Sequence, residues 1–411
     1  MDRAPRLLLT AMLIDTVGSG LFIPFELLFG HVVVGLSLAE VGLGISIGSG
    51  AAIAVGPMAG ARVDGVGATR VMGGANVASA IGCLALLVVH ALVPFILVSF
   101  VLAAAQRTFW AAYAPVVADF VGGDELETWF GRFRGIRFAG IAAGAAAASG
   151  ALLLGQEVGL RIVLTLDAFS YVAAMALLLM AVRARDQRPT PGPIESDPGR
   201  SPEIQVGYLP ALRDGTNVLL AVANVAATLI IITPLLALPV FVLDGLGLPA
   251  WLPGLLAAIA TLSTAVPSLL SGRITRGHPR LELLAVAAVF WAAGSLLFAA
   301  SAWTPAWWLI LLPAAMVAFG FGEALYAPTA DALPLALAPI GLAGRYTAIH
   351  QLAWGISETI APTLAVVLLL SGPGALWLTL AVASVVLATA YVGLQRRVGG
   401  RVGIAGASVW P

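Results

Sequence analysis

Long apolar runs separated by short polar joints repeat along the whole chain. Twelve runs stand out, at 7–30, 38–61, 71–90, 94–118, 135–155, 159–182, 216–243, 250–272, 281–302, 305–329, 343–370 and 373–395. Each is about 20 residues or more, the length that crosses the hydrocarbon core of a bilayer as an α-helix. They are too long and too many for core helices of a soluble domain. The expected fold class is therefore an all-α polytopic membrane protein with twelve transmembrane helices. The one long polar gap, 183–215, contains RARDQRPTPGPIESDPGRSPE, rich in proline and charge and without apolar periodicity. Such a segment cannot bury a core and reads as a linker. It divides the chain into a first six-helix unit (1–182), a second (216–395) and a tail (396–411).

The joint between the second and third runs, PMAGARVDGVGATRVM from Pro57 to Met72, carries the densest polar pattern. Gly60, Asp64, Gly67 and Arg70 follow one another at steps of four, three and three. A carboxylate in a glycine-rich turn accepts backbone N–H bonds and caps the next helix. Arg70 pairs with it or holds the joint at the cytoplasmic surface. An ordinary polar joint between two membrane helices is equally consistent with this segment alone.

The two halves repeat. YAPVVAD begins at Tyr113 and YAPTAD at Tyr326; GRFRGIR begins at Gly131 and GRYTAIH at Gly344, both at a shift of 213 residues. Gly60 maps near Gly272 in SGRITRGHPR, where Arg276 replaces Asp64. Two matches at one shift point to a duplicated six-helix unit, two bundles related by a pseudo-two-fold axis. Parallel repeats of this kind place a cavity at the membrane midplane.

Composition sharpens the picture. Hydrophobic residues make up 60% and charged residues only 10% of 411 residues, too little charge for a soluble domain of this length. A formal net charge of zero argues against a nucleic-acid partner. All 21 basic residues are arginine. With the N-terminus inside, all but Arg107 and Arg161 fall in cytoplasmic joints, linker or tail, which puts both termini in the cytoplasm. The single cysteine, Cys83, has no intrachain partner and reads as packing. The start, MDRAPRLLL, is like a signal peptide for a few residues, but the apolar run behind it is long and holds Asp15 and Glu26, so an uncleaved first helix is expected.

These features together resemble the major facilitator superfamily over essentially all of 7–395. GARVDGVGATR resembles that family's loop after helix 2, with its basic part resting on Arg70. DTVGSGLFIP (Asp15 to Pro24) is similar to its helix 1, Arg107 to the arginine common in its helix 4, and GIAAGAAAASG (Gly140 to Gly150) to the small-residue helix 5 of its antiporters, without the usual Gly-Pro step. The resemblance implies a transporter working by alternating access, with Gly60, Asp64, Gly67 and Arg70 as a conformational-switch loop. The spaced pairs Gly44/Gly48, Gly56/Gly60 and Gly140/Gly144 allow close helix approach, and in halves that rock they also offer sliding faces.

Charges inside membrane helices are expensive and few, so each is a candidate. Asp15 and Glu26 lie eleven residues apart, which on a helix puts them on one face, separated by about 16 Å. They read as cavity-lining proton carriers, or as an acid paired to a cytoplasmic arginine and one snorkelling outward. Arg107 keeps its charge; the resemblance, in which helices 1 and 4 meet across the cavity, makes Asp15 or Glu26 its expected partner. Glu323 and Glu358 complete the candidate set, with His350, Gln351 and Tyr326 as helical neighbours. Asp167 reads as serving the outer end of the sixth run. Trp110, Tyr113, Tyr326 and Trp354 are candidate cavity aromatics, with core packing the alternative. Trp303, Trp307 and Trp308 read as interfacial anchors.

The reading is secondary active transport of a small, amphipathic molecule across the cytoplasmic membrane, with proton-coupled efflux ahead of proton-coupled uptake of a nutrient. An apolar cavity with few charges suits amphipathic cargo. The expected partners are that substrate, protons and the lipid bilayer, with a monomeric chain. A membrane-embedded enzyme or a receptor is the remote alternative. There is no HExxH, GxSxG turn, GxxxxGK[ST] loop or Cys/His cluster, so neither enzyme chemistry, a cofactor nor a metal is expected.

Overall fold

The computed structural model describes residues 3–121, 126–186, 208–274, 277–339, 342–372 and 374–402. Most of the linker, 187–207, and the end of the tail lie outside them. In chain order the long helices are α1 (Arg3–Val32), α2 (Leu38–Ala51 continued by Val55–Val66), α3 (Ala68–Leu86), α4 (Leu92–Phe120), α5 (Leu126–Ala151) and α6 (Gln156–Asp186). After the one-turn helix Leu209–Arg213 come α7 (Gly215–Val240), α8 (Leu252–Ile274), α9 (Arg280–Trp303), α10 (Trp308–Leu337), α11 (Ala343–Leu370) and α12 (Ala375–Val402). Among the described residues, ten spans are long and apolar enough to cross a membrane. The helices α3 and α8 occupy the third and eighth expected places; α3 is built largely from Gly, Ala and Ser, and the apolar part of α8 is Leu252–Ala265.

Two departures from the sequence pattern matter. First, the joint after α2 is a single residue. Asp64 lies in the last turn of the helix Val55–Val66, and α3 starts at Ala68. Only Gly67 leaves the helix, at φ 91°, with its N–H still bonded to Val63 O. That backbone angle excludes most side chains. Asp64 therefore does not sit in a turn as a cap: a Gly/Asp/Gly spacing of three and four is also helical spacing. Arg70 is exposed in the first turn of α3, and the Asp64 side chain lies outside the described set. Second, α5 begins at Leu126, about two turns earlier than expected, so Arg132 and Arg137 ride on the helix. Proline shapes α1: Pro24 sits in a 3-10 turn, Ile23–Phe25, and Glu26 starts the following α-helical segment.

Consecutive helices run antiparallel, so the Gly67 joint and the linker share one face of the molecule, the linker side. The two bundles meet through the opposite, far halves of their helices. There α2 lies on α11: the Ser46 and Thr363 hydroxyls are 2.7 Å apart, and Thr363 Oγ1–H donates to Gly42 O at 3.1 Å. The end of α5 lies on the start of α8, with Gly254 N–H donating to Ser149 Oγ at 2.6 Å. The far end of α1 packs on α7. One hydrophobic core joins the bundles in this half, from Phe25, Leu28 and Phe95 to Phe241 and Trp377, and continues through the linker-side half of the carboxy-terminal bundle to Leu284, Tyr346 and Leu394. A separate core of Leu8, Met72, Val116, Phe133 and Leu178 serves the linker-side half of the amino-terminal bundle alone.

The small residues divide accordingly. A Cβ on Gly144 would strike Val17 O and lie 2.7 Å from Leu21 N, so α1 and α5 touch backbone to backbone. Gly44 and Gly48 likewise face Phe95 and Ser99 of α4. These faces pack inside one bundle, as close helix approach in lipid requires. Gly56 and Gly60, on the linker-side half of α2, face open space. The prediction is a contrast: Gly144→Val should cost about 1–3 kcal/mol through overpacking, whereas Gly60→Ala should leave stability unchanged or slightly raised. Thermal unfolding of the two purified variants beside the parent checks it; equal melting points would refute this packing.

Candidate functional site

A cavity of about 120 Å³ lies within the amino-terminal bundle, lined by residues of all six of its helices. From α1 come Asp15 and Glu26, which both face the cavity despite the break at Pro24. Asp15 is buried, 7% exposed, and its Oδ1 has no hydrogen-bond partner among the described residues. From α6 comes Asp167, 2% exposed. It accepts the Cys83 thiol at 3.6 Å and the Ser170 hydroxyl at 3.4 Å. Asp167 thus lines the cavity rather than serving a helix end, because it falls one turn and a half inside α6 from Arg161 and shares a buried face with Leu160, Val163 and Leu164. Cys83 is buried, as packing requires, and is also a polar contact of that acid.

The cation of this cavity is Arg137. Its guanidinium stacks over the Trp110 ring at 4.2 Å and is within electrostatic reach of Tyr113, Asp15, Glu358 and Glu323. Trp110 lines the cavity and meets Tyr113 edge-on at 5.3 Å; Tyr113 in turn meets Phe133 at 6.0 Å. Expected on the cytoplasmic side, Arg137 lies about three turns into α5, and its exposed side chain lines the cavity.

Arg107 has a different partner from the one expected. Its guanidinium lies 3.3 Å from Glu358 on α11 and donates long hydrogen bonds to Ser49 O, 3.5 Å, and Gly355 O, 3.4 Å. Neither Asp15 nor Glu26 pairs with it. The reason is helical phase: Ala103, Gln106 and Trp110 turn the cavity face of α4 inward, and Arg107, a further 100° round from Gln106, faces the other bundle. Gly355 leaves the room, since a Cβ there would sit 2.7 Å from the guanidinium. Glu26 is an electrostatic neighbour of Glu358, so the seam brings together acids from both bundles.

The carboxy-terminal candidates separate. Glu323 is half-buried on α10 and, like Glu358, within electrostatic reach of Arg137. Tyr326 is no cavity aromatic. It is 3% exposed, its hydroxyl donates to Asn224 Oδ1 at 2.6 Å, and its ring meets Trp291 edge-on at 5.3 Å. A buried phenol needs such a partner, and Asn224 supplies it from within the bundle. Trp354 is half-buried and packs on the shared core, the packing alternative. His350 is buried; its carbonyl accepts from Asn224 Nδ2 at 3.1 Å, and its ring nitrogens have no partner among the described residues. Arg137 is the site residue that sequence reasoning missed; Asp167 reads from the sequence as serving a helix end and Cys83 as packing, and both meet at the cavity.

Residues 7–362 match the family model described as Major Facilitator Superfamily. Among curated proteins none matches. Solved structures of the same fold include the nucleoside transporter NupG, with a TM-score of 0.79 at 14% identity over 95% of this chain and 99% of that one. A peptide transporter POT in complex with sulfate gives 0.77 at 14% identity over 99% and 96%. A POT family transporter in complex with 5-aminolevulinic acid gives 0.76 at 12% identity over 97% of each chain. At these identities the likeness establishes the fold.

The ion pair across the seam is testable by a double-mutant cycle. With the two side chains 17% and 39% exposed, solvent screening reduces the cost of a single loss to roughly 1–3 kcal/mol for Arg107→Gln or Glu358→Gln. The double variant should lose less than the sum, with a coupling of about 1 kcal/mol. Unfolding midpoints of the four proteins give this number; zero coupling would remove the pair as a tie between bundles.

Proposed function

The chain belongs to the major facilitator superfamily, and we propose that it is a secondary active transporter that moves a small amphipathic molecule out of the cell in exchange for protons. In this reading all twelve long helices cross the cytoplasmic membrane, the linker side and both termini are cytoplasmic, and the chain works as a monomer. Arg161 then remains on the outer side, paired with Glu157 at 3.1 Å, while the remaining surface arginines face the cytoplasm, as the positive-inside rule expects.

The observation that carries the reading is the set of ionisable groups gathered beside a cavity, Asp15, Glu26 and Arg137 lining it and Arg107 paired with Glu358 between the bundles. Asp15, Glu26 and Glu358 are placed to take up and release protons, and Arg107 is the fixed counter-charge. A proton on Glu358 removes the partner of Arg107 and loosens the one ionic tie described between the bundles. The guanidinium is then free to attract Glu26, which lies near Glu358. Glu323 is the acid from α10 that balances Arg137. Gly60, Asp64, Gly67 and Arg70 act as the linker-side hinge of α2 and α3, and the bare face at Gly56 and Gly60 gives the other bundle a surface to close upon.

In proteoliposomes with an imposed pH gradient, adding a transported amphiphile should move protons, and Asp15→Asn should reduce that movement to background while the protein still reaches the membrane. Unchanged flux in Asp15→Asn would remove its assigned role, and accumulation of label inside whole cells rather than loss would reverse the direction. A second expectation concerns the far-side seam. Ser46→Cys with Thr363→Cys should form a disulfide under oxidation, arrest transport, and recover on reduction. Cys83 is the single native cysteine, so the background is one buried thiol. Full transport by the cross-linked protein would exclude opening of this seam as part of the cycle.

A further inference from the structure

The acids of the amino-terminal cavity outnumber its cations. Asp15, Glu26 and Asp167 line it together with one guanidinium, Arg137. That guanidinium is already committed to the face of Trp110. Among the described residues Asp167 accepts from a thiol and a hydroxyl, both weak donors for a buried carboxylate. Asp15 faces Asp167 across the cavity closely enough for the two to interact electrostatically, and its Oδ1 has no donor among the described residues although it is sealed from bulk water. A buried carboxylate oxygen without a donor is costly, and the cost is relieved by a proton or by another cation.

We infer that Asp15 and Asp167 form a binding site for a compact monovalent cation, and that the cation is the primary ammonium group of the transported molecule. Size and chemistry select it. The cavity of about 120 Å³ has room for an ammonium and its first methylenes, and only a cation that carries N–H groups can donate to the carboxylates, which a quaternary amine cannot. An ammonium has three donors, and two carboxylates with the hydroxyls of Ser19 and Ser79 on the same wall supply the acceptors. Apolar lining at Phe22, Ile23, Leu102 and Phe109 accommodates the methylene chain. The other bundle offers no equivalent among its described residues: Thr228 bonds to Ser357 at 2.7 Å, and Asn224 is taken up by Tyr326 and His350. The inference rests on the transport reading for the word "transported"; the site itself does not.

Equilibrium binding of hexylamine to the purified full-length protein in detergent at neutral pH tests it, by calorimetry, with hexanol and tetraethylammonium as controls. Hexylamine should bind saturably, hexanol and tetraethylammonium should not, and Asp167→Asn or Asp15→Asn should each weaken hexylamine roughly thirtyfold or more. Asp15→Glu, which keeps the charge, should retain binding, and a single symmetric peak on gel filtration shows that each variant is folded. Sodium is the other source of a compact cation: displacement of hexylamine by sodium chloride but not choline chloride would assign the carboxylates to an inorganic ion and overturn the ammonium assignment. Equal binding of hexanol, or undiminished binding in folded Asp15→Asn and Asp167→Asn, would overturn the site altogether. Binding in detergent needs no gradient and no transport cycle, so its failure leaves the transport reading intact, and a failure of proton movement with binding preserved counts against that reading alone.

Discussion

An arginine cannot shed its charge on entering a membrane, and the position of Arg107 near the middle of α4 sets the terms for everything around it. Its guanidinium needs acceptors, and at that depth water is scarce. The chain meets the need across the bundle boundary, with Glu358 and with the carbonyls of Ser49 and Gly355. The consequence is that the two halves are coupled electrostatically as well as by packing. The tie is also conditional. A carboxylate can be neutralised by a proton and the guanidinium cannot, so Glu358 is the member of the pair through which acidity can act on the boundary.

Packing sets the second constraint. In the far halves the bundles share a core, and the seam hydrogen bonds are short and made by small groups: Ser46 with Thr363, Ser149 with the Gly254 backbone. Neither is an ion pair. Neutral hydrogen bonds of this kind contribute about 0.5–1.5 kcal/mol each, less than a bond to a charged group. In the linker-side half the amino-terminal bundle has a core of its own, so it does not need its neighbour to remain folded there. A molecule with a shared core at one end and a private core at the other can part at the private end without unfolding. That is the mechanical requirement of the proposed cycle.

Much of the fold was legible because the bilayer leaves few choices. Run lengths, the linker break and the repeated YAP and GR segments located the helices to within several residues. The ends were less legible. The start of α5 is set by Trp129 and Phe133 packing into the linker-side core, a tertiary effect that a hydropathy window, diluted by three nearby arginines, does not register. Arg137 falls at the start of the expected run, close to Arg132 and Arg134, and so reads with the cytoplasmic arginines. Helical phase, which depends on where each helix turns its buried face, gave Arg107 the wrong partner: the sequence identifies an unpairable charge but not the direction in which it points. The joint at Gly67 failed for a simpler reason, since spacings of three and four suit a turn and a helix alike. Asp15 and Glu26 succeeded because eleven residues nearly close three turns, and the 3-10 step at Pro24 is too short to spoil the phase.

The duplication explains why the ionisable groups are uneven. At the shift of 213 residues that relates Tyr113 to Tyr326, the position of Asp15 is held by Thr228 and that of Arg137 by His350. In the second bundle Thr228 satisfies itself with Ser357, and the Asn224 side chain bridges Tyr326 and the His350 carbonyl. Thr228 and Asn224 are used by their neighbours there, while the His350 ring nitrogens, at the position of Arg137, have no partner among the described residues. In the first bundle the same backbone positions carry a carboxylate and a guanidinium that do not bond to one another: Arg137 turns to Trp110, and Asp15 Oδ1 is left without a donor. Two copies of one scaffold have thus become unequal: the first carries a carboxylate and a guanidinium where the second has a hydroxyl and an imidazole. In the proposed cycle, chemical discrimination would belong to the first copy, while the second contributes Glu358, the partner of Arg107 across the boundary.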